Sequence, residues 1–346
     1  MRKKAIGVIG AGSFGTAISG LLAKNNDVLI FSRRQEAVEQ INKKHVSYGA
    51  LLPNNIVATN SLEEIADRCD LIFPVLPSSA FRRSMKSISP YLRPYHILIH
   101  GTKGFDVGDI SDAELSHTSL SRSEVHTMSE VILQETVCLR VGCISGPNLS
   151  KEIIAGQPTA AVVASRFKEV FTVGKEAMES RKFHVFASDD LLGAELSGAL
   201  KNIIAIGSGI LGGMGMGRNL QAMLITRGLT EMLYFGKAIG ASNEAFFGTA
   251  GIGDLVATAT STSSRNYSFG EKIAQGMTLE QINAAMPETA EGVRTLRIAK
   301  QLARHYKIHV PITEMLHKIV FEGLEVNRAL EYLITYPYDK DVDFMS

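Results

Sequence analysis

The 346-residue chain lacks an excess of either charge: 36 Lys and Arg stand against 35 Asp and Glu. That balance argues against a nucleic-acid or membrane surface and leaves only a local basic patch as an exception, so the expected partner is a small molecule. Cysteine is scarce too. Cys69, Cys138 and Cys143 are odd in number and share no metal-ligand spacing, which excludes a disulfide framework and a cysteine-built metal centre and fits a reducing cytoplasm. The uncharged stretch between Lys201 and Arg218 is shorter than a membrane span needs and carries Gly207, Gly209, Gly212, Gly213, Gly215 and Gly217, a pattern of close helix packing. Repeats and low-complexity linkers are absent. The two domains expected from the length must therefore be read from a change of hydrophobic period.

Through about residue 188 that period is mixed. Short β-rich runs, Val28 to Phe31, Leu71 to Val75, Ile97 to His100, Val137 to Ile144, Ala160 to Ala164 and Phe183 to Phe186, alternate with helical segments, as in a doubly wound α/β sheet. From Leu191 onward apolar residues recur at helical spacing. The expectation is a Rossmann-type dinucleotide-binding domain over residues 1–188 and an all-helical substrate domain over 189–346. The polar stretch from Asp106 to Ser129 interrupts the first domain and reads as an inserted loop with some helix. Its His117 and His126 have no supporting Cys or carboxylate spacing and read as solvated surface, so no metal is expected.

The strongest local signal is Gly10-Ala11-Gly12-Ser13-Phe14-Gly15, between the apolar run Ala5 to Ile9 and an amphipathic segment. Gly10 permits a tight turn, Gly12 leaves room for a pyrophosphate, and Gly15 lets the helix pack on the strand, so that its N–H groups face the anion. Arg2, Lys3 and Lys4 followed by the apolar run from Ala5 to Ala23 imitate a secretory signal, but the strand-turn-helix reading accounts for the same residues. Where a carboxylate ordinarily ends the second strand, Arg33 and Arg34 stand instead. Paired guanidiniums suit a 2′-phosphate, which favours NADP over NAD; an exposed Arg pair opening a helix is the alternative.

Further along, Lys103 in Gly101-Thr102-Lys103-Gly104 follows the Ile97 to His100 run and would stand at the carboxyl edge of the sheet. Asn148 in Ser145-Gly146-Pro147-Asn148 follows another strand and either caps the next helix or leaves its N–H groups for an anion. Lys201 lies amid Leu200, Ile203, Ile204 and Ile206. It is either a snorkelling helix lysine or a general acid, its affinity for the proton lowered by burial, that protonates a carbonyl oxygen as hydride arrives at carbon. Asp254 supplies an acid to an apolar domain. Ser264, Arg265 and Asn266 form either a phosphate cradle or a capped turn.

In order and spacing, Gly10 to Gly15, Gly101 to Gly104, Ser145 to Asn148, Gly198-Ala199-Leu200-Lys201-Asn202, Gly251 to Leu255 and Ser264 to Asn266 resemble the bacterial-type NAD(P)-dependent glycerol-3-phosphate dehydrogenases over nearly the whole chain. The resemblance implies reversible hydride transfer between NAD(P)H and dihydroxyacetone phosphate, supplying glycerol 3-phosphate for phospholipids, in a cytoplasmic homodimer. It also implies that Lys201 is the catalytic lysine, with Lys103 and Asp254 beside it. Gly146, Asn148, Asp254, Ser264, Arg265 and Asn266 fall on substrate positions, as do Lys201 and Lys103, the latter in contact with both substrate and cofactor. Ser13, Phe14, Arg33, Lys103, Ser150, Arg265, Thr289 and Glu291 fall on cofactor positions. Asn148 replaces a common Ser of that family and Ser150 a common Ala, and the loop from Asp106 to Ser129 is longer than usual. Two other functions fit parts of the pattern. A reductase of a small 3-hydroxy or 2-hydroxy acid would share the architecture, and a non-catalytic cofactor-binding regulator would keep the glycine turn but need neither Lys103 nor Lys201.

Overall fold

Strand β1 (Ile6–Ile9) is apolar or glycine at every position and buried at every position, which fits a central strand covered on both faces. In the computed structural model, which describes residues 4–116, 118–286, 288 and 290–337, β1 pairs in parallel with β2 (Val28–Phe31) and β6 (Leu71–Pro74). Between them lie α1 (Ser13–Leu22), α2 (Gln35–Lys44), a small antiparallel hairpin of β3 (Val46–Ser47) and β4 (Ala50–Leu51), β5 (Ile56–Thr59) and α3 (Leu62–Arg68). There follow α4 (Ser78–Ile88), β7 (Ile97–His100), α5 (Met128–Glu135), β8 (Arg140–Ser145), α6 (Ser150–Ile154), β9 (Thr159–Ser165), α7 (Lys168–Met178) and β10 (Phe183–Ser188). The eight-stranded sheet runs β10-β9-β8-β7-β6-β1-β2-β5. Every pairing is parallel except β8 with β9, which are joined through the five-residue α6 rather than a full crossover helix.

Alternate residues of the central strands feed two separate cores, one on each face. Val8, Ile30, Phe73 and Ile99 pack with α1 and α7, whereas Ile9, Leu29, Ile72 and Leu98 pack with α3, α4 and α5. The doubly wound expectation therefore holds. Edge strand β5 was not among the β-rich runs: it is only four residues long and its Val57 is exposed.

The chain divides into two compact units. One comprises the chain up to Asp106 with Thr127–Glu195, the other Val107–His126 with the chain from Leu196 onward. In the second, α8 (Leu191–Gly213, whose first residues belong to the first unit) leads to α9 (Arg218–Ile239), α10 (Glu244–Phe247), a π-helical turn at Thr249–Gly253, α11 (Asp254–Ala259), α12 (Arg265–Ala274), α13 (Leu279–Ala285), α14 (Glu291–Tyr306), α15 (Pro311–Glu322) and α16 (Val326–Ile334). The helix carrying the uncharged stretch is longer than that stretch. At 23 residues α8 has the length and apolarity of a membrane span, but 89% of its apolar window is buried inside the protein. Its glycines serve packing, since a Cβ on Gly209 would stand 2.0 Å from the Tyr267 carbonyl oxygen of α12.

The segment within 106–129 is a loop with a short helical turn at Glu114–Ser116, as expected, but it also carries buried side chains and long-range bonds. Leu115, Leu120 and Val125 are buried, Asp112 receives hydrogen bonds from Arg294 and Arg297 of α14, and the Arg122 N–H donates to Tyr306 Oη. Leucines and valine five residues apart follow neither a strand nor a helix period, so the polar composition hid them. Of the residues singled out in the sequence, Arg2, Lys3, His117 and Thr289 lie outside the described ones. Among the described residues no group of three or more His, Cys, Asp or Glu is placed to hold a metal ion.

Candidate active site

In the first unit, the turn after β1 is built by steric necessity. Gly10 has φ of +121°, and a Cβ there would stand 2.2 Å from the Val75 carbonyl oxygen; a Cβ on Gly15 would stand 1.8 Å from the Gly10 carbonyl oxygen. A Cβ built on Gly12 meets nothing within 4 Å. Gly12 is also the N-cap of α1 and offers no side-chain acceptor to the helix N–H groups. The one open position thus lies where a pyrophosphate would approach, so these residues fit a dinucleotide. Ser13 and Phe14 open α1, and the Phe14 ring covers Gly101, whose Cβ would lie 2.8 Å from it.

At the end of β2, Arg33 and Arg34 are both exposed; Arg34 is the N-cap of α2, its N–H bonded to Ser32 Oγ at 3.3 Å. The Lys103 loop is clamped below by Thr102, whose hydroxyl donates to the Leu76 carbonyl at 2.6 Å. Lys103 itself is half-buried and donates to the Gly146 carbonyl at 3.0 Å, so the loops after β7 and β8 are joined at the carboxyl edge of the sheet. Asn148 does not cap the helix that follows. The N-cap of α6 is Leu149, and both Asn148 amide atoms are buried without a hydrogen-bond partner. Ser150 is the first residue of α6.

The second unit holds the most buried charges among the sites proposed from sequence. Lys201 is 5% exposed and Asp254 1%. The Lys201 Nζ donates to Asp254 Oδ1 at 2.8 Å and to Thr258 Oγ1 at 2.5 Å, and Thr258 Oγ1 donates to the same Asp254 oxygen at 3.1 Å. This closed triangle excludes the snorkelling alternative for Lys201. An unpaired ammonium so deep would be strongly disfavoured, whereas a carboxylate and a hydroxyl satisfy it and aim it. Thr258 was missed in the sequence. Its signal was its place four residues after Asp254, one helical turn on the same face of α11.

Asn202, next to Lys201, accepts from Asn266 Nδ2 at 2.8 Å, and Asn266 Oδ1 accepts the Gly292 N–H at 2.9 Å. A network therefore joins α8, α12 and α14, with Glu291 opening the last. Ser264 is the N-cap of α12 and accepts from the Tyr267 N–H. Ser264 thus caps its helix and Asn266 bridges α8 and α14, whereas the half-exposed Arg265 guanidinium pairs with Glu288 at 2.6 Å. Of the three residues read as a cradle, Arg265 alone projects a charge.

Two consecutive stretches of the chain match the two halves of one family. Residues 5–171 match the model of the NAD-dependent glycerol-3-phosphate dehydrogenase N-terminus, and residues 190–331 match that of its C-terminus. A glycerol-3-phosphate dehydrogenase of Azotobacter vinelandii is 38% identical over 350 residues, spanning 99% of this chain and 98% of that one. One of Carboxydothermus hydrogenoformans is 38% identical over 342 residues, spanning 97% and 98%. The crystal structure of glycerol-3-phosphate dehydrogenase from Coxiella burnetii is similar with a TM-score of 0.86 and 31% identity, covering 96% of this chain and 99% of that one. With both halves and nearly the full length accounted for, the chain belongs to the NAD-dependent glycerol-3-phosphate dehydrogenase family.

Proposed function

We propose that the protein interconverts dihydroxyacetone phosphate and sn-glycerol 3-phosphate with NADPH or NADH, and that it favours NADPH. The observation that carries this reading is the buried Lys201 held by Asp254 and Thr258, in a chain whose two halves both match the family. When bound, the nicotinamide supplies or takes the hydride at the central carbon. The chain's own residues handle the proton and the charge. Lys201 donates a proton from Nζ to the central oxygen as the carbonyl becomes an alcohol, and Lys103 adds a second cation against the developing negative charge. Asp254 and Thr258 hold Lys201 in its orientation before and after the transfer. Arg265 takes the phosphate in place of Glu288, and Gly146, Asn148, Ser264 and Asn266 complete the contacts to substrate. Binding of that remote phosphate is available to align the reacting carbonyl.

For the cofactor, Gly10, Gly12, Ser13, Phe14 and Gly15 receive the pyrophosphate, Arg33 and Arg34 take a 2′-phosphate, and Ser150, Arg265, Thr289 and Glu291 complete the set. Residues 1–188 then form the dinucleotide domain and 189–346 the substrate domain. The protein acts as a cytoplasmic homodimer that supplies glycerol 3-phosphate for phospholipid synthesis. A hydroxy-acid reductase of the same architecture would bind a carboxylate. A panel of dihydroxyacetone phosphate, dihydroxyacetone and small 2-keto and 3-keto acids with NADPH separates the two: turnover confined to the phosphate ester supports this reading, and turnover of a keto acid alone contradicts it.

A further inference from the structure

Glu195 takes no part in the steps above, yet it stands six residues before Lys201 on α8 and is the last residue of the first unit. Its side chain is 5% exposed. One oxygen, Oε1, accepts two hydrogen bonds: from the Ser129 backbone N–H at 2.8 Å and from His100 Nε2–H at 2.9 Å. Ser129 is in the first turn of α5, where backbone N–H groups lack helical partners, so Glu195 supplies a cap from another helix. Thr127 already caps Glu130 in the same turn.

His100 is the last residue of β7 and directly precedes the Gly101-Thr102-Lys103 loop. It is 1% exposed, its ring packs edge-on to Phe81 with centroids 5.8 Å apart, and its Nδ1 is buried with no hydrogen-bond partner. All polar bonding of this ring therefore runs through Nε2, to Glu195 and, at 3.1 Å, to Ser129 Oγ. A single carboxylate oxygen at the start of α8 thus holds the last residue of β7, the stem of the Lys103 loop, and the first turn of α5.

We propose that Glu195 is a positioning residue for the reduction, its Oε1 fixing through His100 and Ser129 both the β7 end from which Lys103 projects and the first turns of α8. Its role in turnover rests on the function proposed above; its role as an anchor does not. Acceptor geometry, not charge, is what the role requires, because both donors converge on one oxygen.

The test compares wild type, Glu195→Gln, which keeps the acceptor oxygen, and Glu195→Ala. Hydrogen exchange of the ligand-free protein is followed over residues 97–104 and 191–202, alongside NADPH affinity and turnover of dihydroxyacetone phosphate. In Glu195→Ala, exchange quickens about tenfold or more in both segments and kcat falls on the order of a hundredfold, as expected when reacting groups lose alignment. KM and the NADPH Kd stay within about threefold of wild type, and Glu195→Gln stays close to wild type throughout. Unchanged exchange in Glu195→Ala overturns the proposal, as does a Glu195→Gln loss as large as that of Ala. Should Glu195→Ala not fold, His100→Leu leaves the Ser129 bond intact; faster exchange confined to 97–104 supports the anchor, and unchanged exchange there overturns it. A wild type that does not turn over dihydroxyacetone phosphate removes the proposed function, while the exchange arm still decides the anchor.

Discussion

The Lys201 ammonium lies 2.8 Å from Asp254 Oδ1, and both side chains are almost wholly removed from solvent. Thr258 closes the triangle by accepting from the lysine and donating to the aspartate. A carboxylate alone would hold the charge; the threonine in addition fixes where the remaining N–H bonds point. Thr258→Val is therefore expected to lower kcat by roughly ten- to a hundredfold with little change in NADPH affinity. The loss of a buried hydrogen bond would lower stability by about 1–3 kcal/mol. Thr258→Ser, which restores the hydroxyl, recovers most of the rate. Steady-state kinetics with denaturant titration checks this, and a Val variant with wild-type kcat contradicts it.

Gly12 separates folding from cofactor binding. Its φ of −84° suits alanine, and an added Cβ meets no atom within 4 Å. Gly12→Ala should fold with stability equal to wild type or up to about 1 kcal/mol higher. The methyl would occupy the approach to the pyrophosphate, so the NADPH Kd should rise at least about tenfold, equivalent to about 1.4 kcal/mol. Fluorescence titration of NADPH beside a thermal melt reads both quantities.

Arg33 tests cofactor preference. If its guanidinium binds the 2′-phosphate, Arg33→Ala weakens NADPH binding by roughly ten- to a hundredfold, the scale of a hydrogen bond to a charged group. NADH binding should change less than about threefold. Equal losses for both cofactors would instead assign Arg33 to the shared part of the dinucleotide.

Glu231 gives a pH dependence of stability remote from the reaction. From α9 it caps α15, Oε1 accepting from the Ile312 N–H at 2.6 Å and Oε2 from the Thr313 N–H and hydroxyl at 3.0 and 2.7 Å. Burial raises its carboxyl to about 7 against the opposing pull of those donors. The folded state thus holds this proton more tightly than the unfolded chain does. The associated stability, about 3 kcal/mol, is complete below the unfolded value near 4.5 and is lost as pH rises from there through about 7. Glu231→Gln should flatten that part of the profile in urea titrations between pH 5 and 8. A variant whose profile runs parallel to wild type would show that other groups set the slope.

The doubly wound sheet was legible in the sequence because its central strands are continuous apolar runs. The short edge strand Ile56–Thr59 was not, having neither length nor two buried faces to mark it. Lys201 and Asp254 could be named from their oddity in an apolar helical domain, whereas Thr258 is an unremarkable helix residue until the fold brings Lys201 to it. The cradle reading was only partly visible. Ser264 and Asn266 suit a cap and an internal network as well as a phosphate, and only the fold engages each of them in those ways. Glu195, present in the sequence near Lys201, gave no sign of its tie to His100, a contact across 95 residues of chain.

The most direct measurement is NADPH oxidation with dihydroxyacetone phosphate by wild type and Lys201→Ala, with NADPH binding measured on both. Wild type is expected to turn over, and the variant to lose at least about a hundredfold in kcat, on the scale of a removed general acid, with NADPH still bound. Near wild-type turnover by Lys201→Ala would contradict this expectation, as would a wild type that binds NADPH and leaves this substrate untouched.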